Sequence, residues 1–338
     1  MNQPTMTAVV QHRYGGPETL EVAVVPRPEP GPAEVLVAVR ATCLNAADWH
    51  LMRGLPLMAR LSTGLRVPKA TVHGSDVAGV VQAVGQEVTR WHPGDEVYGE
   101  LGLAGGGWAE HAVVRADLLR PKPAALTFEQ AAAVPLSGRT ALVCLREASW
   151  LREGQRLLVN GASGGVGTFA VQLGHALGAD VTGVCRTRNA DLVRSLGAKH
   201  VVDYTREDFA TSGKRYDVVL DLVGNRSLRD LCRVVAPGGV LVLSGGGTST
   251  GERRLLGPVW LMLRGQLFGR FLGARVVVPQ TPENPGQLAD LAALVEAGTL
   301  TPAVDRTFPL TEARAAITYL ETEHARSKVV LTVSSSVS

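Results

Sequence analysis

The chain is expected to be an α/β protein in which a β-rich part is followed by a doubly wound parallel sheet. Residues 7–122 read as short β segments cut by Pro and Gly. Residues 156–244 alternate between apolar strands and helices, and a glycine-rich turn joins the first of those strands to the first helix.

In the first part, residues 34–39 follow Pro30-Gly31-Pro32, residues 77–84 form an apolar run, and residues 96–98 follow Pro93-Gly94-Asp95. The character changes after Pro123. Residues 127–134 and 137–148 are predicted helical, with Thr127 as N-cap and Glu129 and Gln130 in the first turn. The alternation then runs: strand 156–160, helix 166–177, strand 180–185, helix 189–196, strands 200–203 and 217–222, helix 227–235, strand 240–244. Continuous Val/Leu strands separated by helices imply a parallel sheet covered on both faces. The tail is mixed, with a strand at 275–278, helices at 285–296 and 312–321, and a last strand at 328–333.

The bulk numbers exclude several classes. With 45% apolar and 19% charged residues, the 338-residue chain has the balance of a globular enzyme of two domains. The net charge is only +3, and Arg253, Arg254, Arg264, Arg270 and Arg275 are spread out, so no nucleic-acid partner is expected. Cys43, Cys144, Cys185 and Cys232 form no C-x-x-C pair, which argues against a zinc ribbon or a disulfide framework. No run of about 18 apolar residues suggests a membrane span, and no secretory signal pattern opens the chain. A cytoplasmic location is the expectation.

The sharpest motif is residues 157–167, Leu-Leu-Val-Asn-Gly161-Ala162-Ser163-Gly164-Gly165-Val166-Gly167. A buried strand enters a turn whose glycines allow close backbone approach to a pyrophosphate, and the following helix N-terminus offers N–H groups and partial positive charge. With a second strand following, this context implies a dinucleotide site. At the end of that second strand an NAD site usually places a carboxylate on the ribose. Here stand Arg186, Thr187 and Arg188, with no acid between Asp180 and Asp191. Guanidinium forks suit a 2′-phosphate, so NADPH is the expected cofactor. In such sheets ligands sit beyond the carboxyl ends of the strands, which adds Leu222, Val223, Gly224, Ser244, Gly245 and Gly246 to the cofactor-binding candidates.

The chain also resembles the medium-chain dehydrogenase/reductase superfamily from about Thr7 to Val333. The resemblance is carried by Asn45-Ala-Ala-Asp48, residues 74–81, Val84-Gly85, residues 93–97, Gly107-Trp-Ala-Glu-His111, the glycine-rich loop, residues 221–224, and residues 324–330, which are similar to the H-A-R-G-K segment of quinone-oxidoreductase-like members. It implies a GroES-like catalytic domain from residues 1–122 and 276–338, with an inserted Rossmann domain at 123–275. It implies Thr140 and Tyr204 at the cofactor, with Arg326 and Lys328 reaching back to it. It further implies a homodimer, for which the strand at 275–278 would supply a sheet edge.

The resemblance shows what is replaced as well. Zinc-dependent members carry a cysteine where this chain has Asn45, and a His-Glu pair where it has Ser75 and Asp76, and the cysteine-rich structural lobe has no counterpart. No metal site is expected, and His50, His73, His92 and His111 read as surface or core histidines. Without a Lewis acid, a conjugated acceptor is the fitting substrate, because hydride charge spreads to an oxygen that hydrogen bonds can hold. The expected activity is reduction of a quinone or α,β-unsaturated carbonyl, with Asn45 as catalytic donor or as helix cap. An enoyl reductase tailoring one natural product and an idle NADPH-binding redox sensor are the alternatives. Residues 255–272, apolar at helical spacing, are open to three roles: pocket lining, interface, or membrane-surface contact.

Overall fold

The computed structural model describes residues 3–245, 257–281, 284–323 and 325–334. Gly246, Leu255, Leu256 and His324 lie outside the described residues. The chain forms two compact units, Met1–Leu136 with Glu283–Ser338, and Ser137–Pro282.

The first unit is built on a seven-stranded sheet among the described residues. Its order is Val304–Pro309, Lys328–Thr332, Glu34–Leu44, Asp76–Val84, Glu96–Glu100, Leu119–Pro121, with His111–Arg115 also paired to Glu34–Leu44. Strands Thr5–Val10 and Glu21–Pro26 make a separate antiparallel pair. Val35, Val37 and Val39 point into one core at period two, where they meet Trp49, Trp108, Val97 and Leu119. The helix Ala313–Thr322 closes that core with Ala316 and Ile317.

The registers of three strands bring residues distant in sequence to one place. Val329 pairs with Leu44, so Lys328 arrives beside Asn45 from the far end of the chain. Ala78 pairs with Ala41, and the Thr42 hydroxyl donates to the Asp76 carbonyl at 2.7 Å, so Asp76 starts its strand at the same place.

Among the described residues the second unit is a six-stranded parallel sheet in the order His200–Asp203, Asp180–Cys185, Arg156–Asn160, Tyr216–Asp221, Val235–Leu243, Arg275–Val277. Numbered within the unit this is 3-2-1-4-5-6, the Rossmann order, whose reversal lies between Arg156–Asn160 and Tyr216–Asp221. Leu157, Leu158 and Val159 are fully buried, as a strand covered on both faces requires. The tail strand belongs to this sheet: Arg275–Val277 pairs in parallel with Val240–Val242, so the unit runs past residue 276, to Pro282. The helix Gly257–Phe268 lays Leu261 and Met262 on the sheet. A Cβ on Gly265 would meet Val276 and Leu243 at 2.8 and 2.9 Å, which shows how closely that helix approaches.

Candidate active site

In the glycine-rich turn, Gly161 follows its strand at φ +92°, a conformation that disfavours any other residue. The Gly161 and Ala162 amides donate to the Val184 carbonyl at 3.3 and 3.0 Å, and Gly164 donates to the Gly161 carbonyl at 3.0 Å. The helix Gly165–Ala176 then packs directly on the turn, because a Cβ at Gly167 would stand 2.1 Å from the Gly161 oxygen. First-turn amides of a helix have no intrahelical acceptor, so those of Gly165, Val166 and Gly167 are available to an anion. Ser163 accepts from the Asn189 amide at 2.9 Å. The Asn189 Oδ1 is buried without a hydrogen-bond partner, an acceptor that a ligand can use. Sequence reasoning took Asn189 only as a helix start, and no local pattern signals its contact with the loop.

The neighbouring turn is held from below. Asn160 donates to Asp221 at 2.8 Å, and the Val223 and Gly224 amides donate to the same carboxylate at 3.3 Å each. Burial raises the Asp221 carboxyl above its usual range. Leu222, Val223 and Gly224 thus end the fourth strand of the unit in a fixed turn. The Ser244 amide donates to the Asp221 carbonyl at 3.0 Å, followed by Gly245 at φ +110°. Thr140 is half-buried on the helix Pro135–Leu142.

At the second strand end, the Arg186 Nε donates to the Tyr204 hydroxyl at 2.6 Å, and its guanidinium lies 5.9 Å from the ring centre. Arg188 is exposed on the next turn. The sheet adds a residue that sequence reasoning missed. Asp203, at the end of the adjacent strand, accepts from the Thr187 hydroxyl and from the Thr205 amide and hydroxyl at 3.0 and 2.7 Å. Those bonds, Thr187 foremost, hold its carboxyl down at about 2. The carboxylate is committed to hydroxyls of the protein itself. The loop, the first-turn amides and the guanidinium fit a dinucleotide phosphate.

In the first unit, Asn45 and Asp48 form a capping box at the start of the helix Ala46–Arg53, with the Asn45 backbone N–H donating to the Asp48 carboxylate at 2.9 Å. Asp48 also accepts from the Ser75 hydroxyl at 3.1 Å. The Asn45 side chain reaches two further partners: Nδ2 donates to Asp76 at 2.9 Å, and Oδ1 accepts from the Lys328 ammonium at 2.5 Å. Asn45 is therefore cap and cluster member at once. The ammonium of Lys328, a residue expected at the cofactor, is buried in the first unit, bonded to Asn45 and 4.0 Å from Asp76. Arg326 is fixed through its backbone N–H, which donates to Asp305 at 2.8 Å. Burial pushes Asp48 and Asp76 up to about 6 each, and the Cys43 thiol up to about 12.

This donor set does not suit zinc. The Asn45 oxygen already faces a cation, Ser75 donates to Asp48, and Cys43 donates to the Val329 carbonyl at 3.2 Å. Among the described residues no three His, Cys, Asp or Glu side chains gather as for a metal ion. His73 is bonded to Gln11 at 2.5 Å, and burial lowers its pKa to about 4. His92 lies exposed beside Asp95. His50 packs edge-on to Trp49, and His111 is half-buried in its strand.

Residues 31–124 match the alcohol dehydrogenase GroES-like domain family, and residues 196–331 match the zinc-binding dehydrogenase family. The chain is 38% identical to a quinone oxidoreductase of Pseudomonas aeruginosa, over 94% of this chain and 97% of that protein. It is 35% identical to a chloroplastic NADPH-dependent alkenal/one oxidoreductase of Arabidopsis thaliana, over 96% of this chain and 79% of that one. The structure of the quinone oxidoreductase from Coxiella burnetii superposes with a TM-score of 0.85 at 28% identity, covering 98% of this chain and all of that one. With relatives matched over nearly its whole length and both halves of the fold accounted for, the chain belongs to the medium-chain dehydrogenase/reductase superfamily of oxidoreductases, among its quinone-oxidoreductase-like members.

Proposed function

We propose that the protein reduces a quinone or an α,β-unsaturated carbonyl with NADPH and without zinc. The observation that carries the reading is the Asn45 amide, whose oxygen faces an ammonium and whose Nδ2 has one hydrogen committed to Asp76. The same Nδ2 group, which also bonds the Asp48 side chain, is the donor assigned to an acceptor's oxygen. The relatives named for quinones and for alkenals and alkenones support the substrate class. NADPH supplies the hydride when bound. The first-turn amides of Gly165, Val166 and Gly167 hold its pyrophosphate, and Arg186 with Arg188 and Tyr204 holds its 2′-phosphate. As charge moves onto the acceptor's oxygen, Asn45 stabilises it.

The test is Asn45→Ala, assayed by single-turnover hydride transfer to 9,10-phenanthrenequinone and to a simple enone. Loss of a transition-state donor lowers the rate by about 10²–10³. NADPH affinity stays unchanged, and loss of the cap costs about 1 kcal/mol of stability. Full turnover per folded molecule would remove Asn45 from the chemistry.

For assembly, the reading is a homodimer joined at the edge strand Arg275–Val277, which light scattering at micromolar concentration tests. For location, four buried free thiols favour a reducing compartment such as the cytoplasm, and cell fractionation checks it. Among the described residues no helix is long and apolar enough to cross a membrane.

A further inference from the structure

We infer that Lys328 and Asp76 are positioning residues that lock the Asn45 amide in one orientation, and that Lys328 affects turnover only through Asn45. The inference rests on the reading of Asn45 as donor.

A side-chain amide has two nearly isosteric orientations, and only its partners choose between them. In this cluster the choice is forced. Lys328 Nζ sits on Oδ1 at 2.5 Å and Asp76 Oδ2 on Nδ2 at 2.9 Å. Rotating the amide by half a turn would set an NH₂ against an ammonium and an oxygen against a carboxylate. Lys328 is 2% exposed, Asp76 fully buried and Asn45 5% exposed, so water cannot replace the lost bonds.

Each partner is itself fixed. The other Asp76 oxygen accepts from the Leu136 amide at 2.9 Å. Lys328 is held by the strand pairing of Val329 with Leu44, and by Ser327, whose hydroxyl donates to the Ala303 carbonyl. The ammonium does more than orient. A cation on the amide oxygen draws electron density from Nδ2, which strengthens its N–H groups as donors in a low-dielectric site. Lys328 is 2% exposed and bonded to the Asn45 oxygen, so its effect on turnover is assigned to that bond.

The experiment is a mutant cycle on the full-length protein: native, Asn45→Ala, Lys328→Met and the double variant. It follows single-turnover hydride transfer, quinone KM, NADPH affinity and melting temperature. Lys328→Met should slow hydride transfer by about tenfold or more, with quinone KM and NADPH affinity little changed. In the Asn45→Ala background the same substitution should cost less than about threefold, because residues acting as one unit are not additive.

An equal loss in both backgrounds, or full rate in Lys328→Met, overturns the inference. Full rate in Asn45→Ala alone defeats the donor reading as well, so the two failures are told apart. If Lys328→Met does not fold, Lys328→Met with Asp76→Asn removes the Lys328 and Asp76 charges together, leaving Asp48, and is held to the same expectations.

Discussion

The proposed preference for NADPH rests on two arginines that look equivalent in sequence and are not equivalent in the structure. Arg186 is half-buried and pinned through Nε to the Tyr204 hydroxyl at 2.6 Å, leaving its Nη groups for a phosphate. A charged hydrogen bond from a preorganised group contributes about 1.5–3 kcal/mol. Taking about 2 kcal/mol, Arg186→Ala should weaken NADPH binding by about thirtyfold. Arg188 is exposed, so salt and side-chain entropy reduce its share to about 0.5 kcal/mol, or two- to threefold. NADH, lacking the 2′-phosphate, should bind both variants almost as it binds the native protein. The assay is fluorescence titration with each dinucleotide at fixed ionic strength. A larger effect at Arg188 than at Arg186, or an unchanged NADPH-to-NADH ratio in the double variant, would refute the argument from preorganisation.

Two further outcomes test the fold that supports these sites. Gly167→Ala puts a Cβ 2.1 Å from the Gly161 oxygen, a backbone clash expected to cost about 1–3 kcal/mol and to abolish dinucleotide binding. Gly164→Ala, whose nearest protein contact is 3.4 Å, should keep the native stability by calorimetry. His73, held down at about 4, binds fewer protons folded than unfolded, so its stability contribution is present above pH 6.5 and is lost as pH falls toward 4. Between pH 7 and 5 the loss should be about 2 kcal/mol, and urea unfolding of His73→Gln should show a pH slope smaller by that amount.

The second unit was legible because its information is local. Leu157-Leu158-Val159 reads as a buried strand, and the glycine spacing after it reads as a phosphate turn, since both depend on neighbours in sequence. The strand Arg275–Val277 was legible as a strand, but its partner in space, Val240–Val242, was not. The cluster around Asn45 was least legible. Lys328 lies 283 residues from Asn45 and reaches it only through the register of Val329 with Leu44. Asp203 meets Thr187 in the same way, across two strands whose pairing no motif announces.

That cluster is poor glue, which bears on what it is for. Asp48 and Asp76 are fully buried, and burial raises each carboxyl to about 6. A raised carboxyl disfavours the ionised folded state, so its stabilising share is complete at low pH and is lost as pH rises from about 4 to 6. At neutral pH the fold therefore carries two costly carboxylates with Lys328 as their nearby cation. Replacing a buried ion pair by uncharged groups of similar volume is often neutral or stabilising, whereas removing one member alone leaves an uncompensated charge. Lys328→Met with Asp76→Asn should then melt no lower than the native protein while Lys328→Met alone melts well below it. If the stabilised double variant still transfers hydride slowly, the buried charges serve the orientation of Asn45 and not the stability of the sheet that holds it.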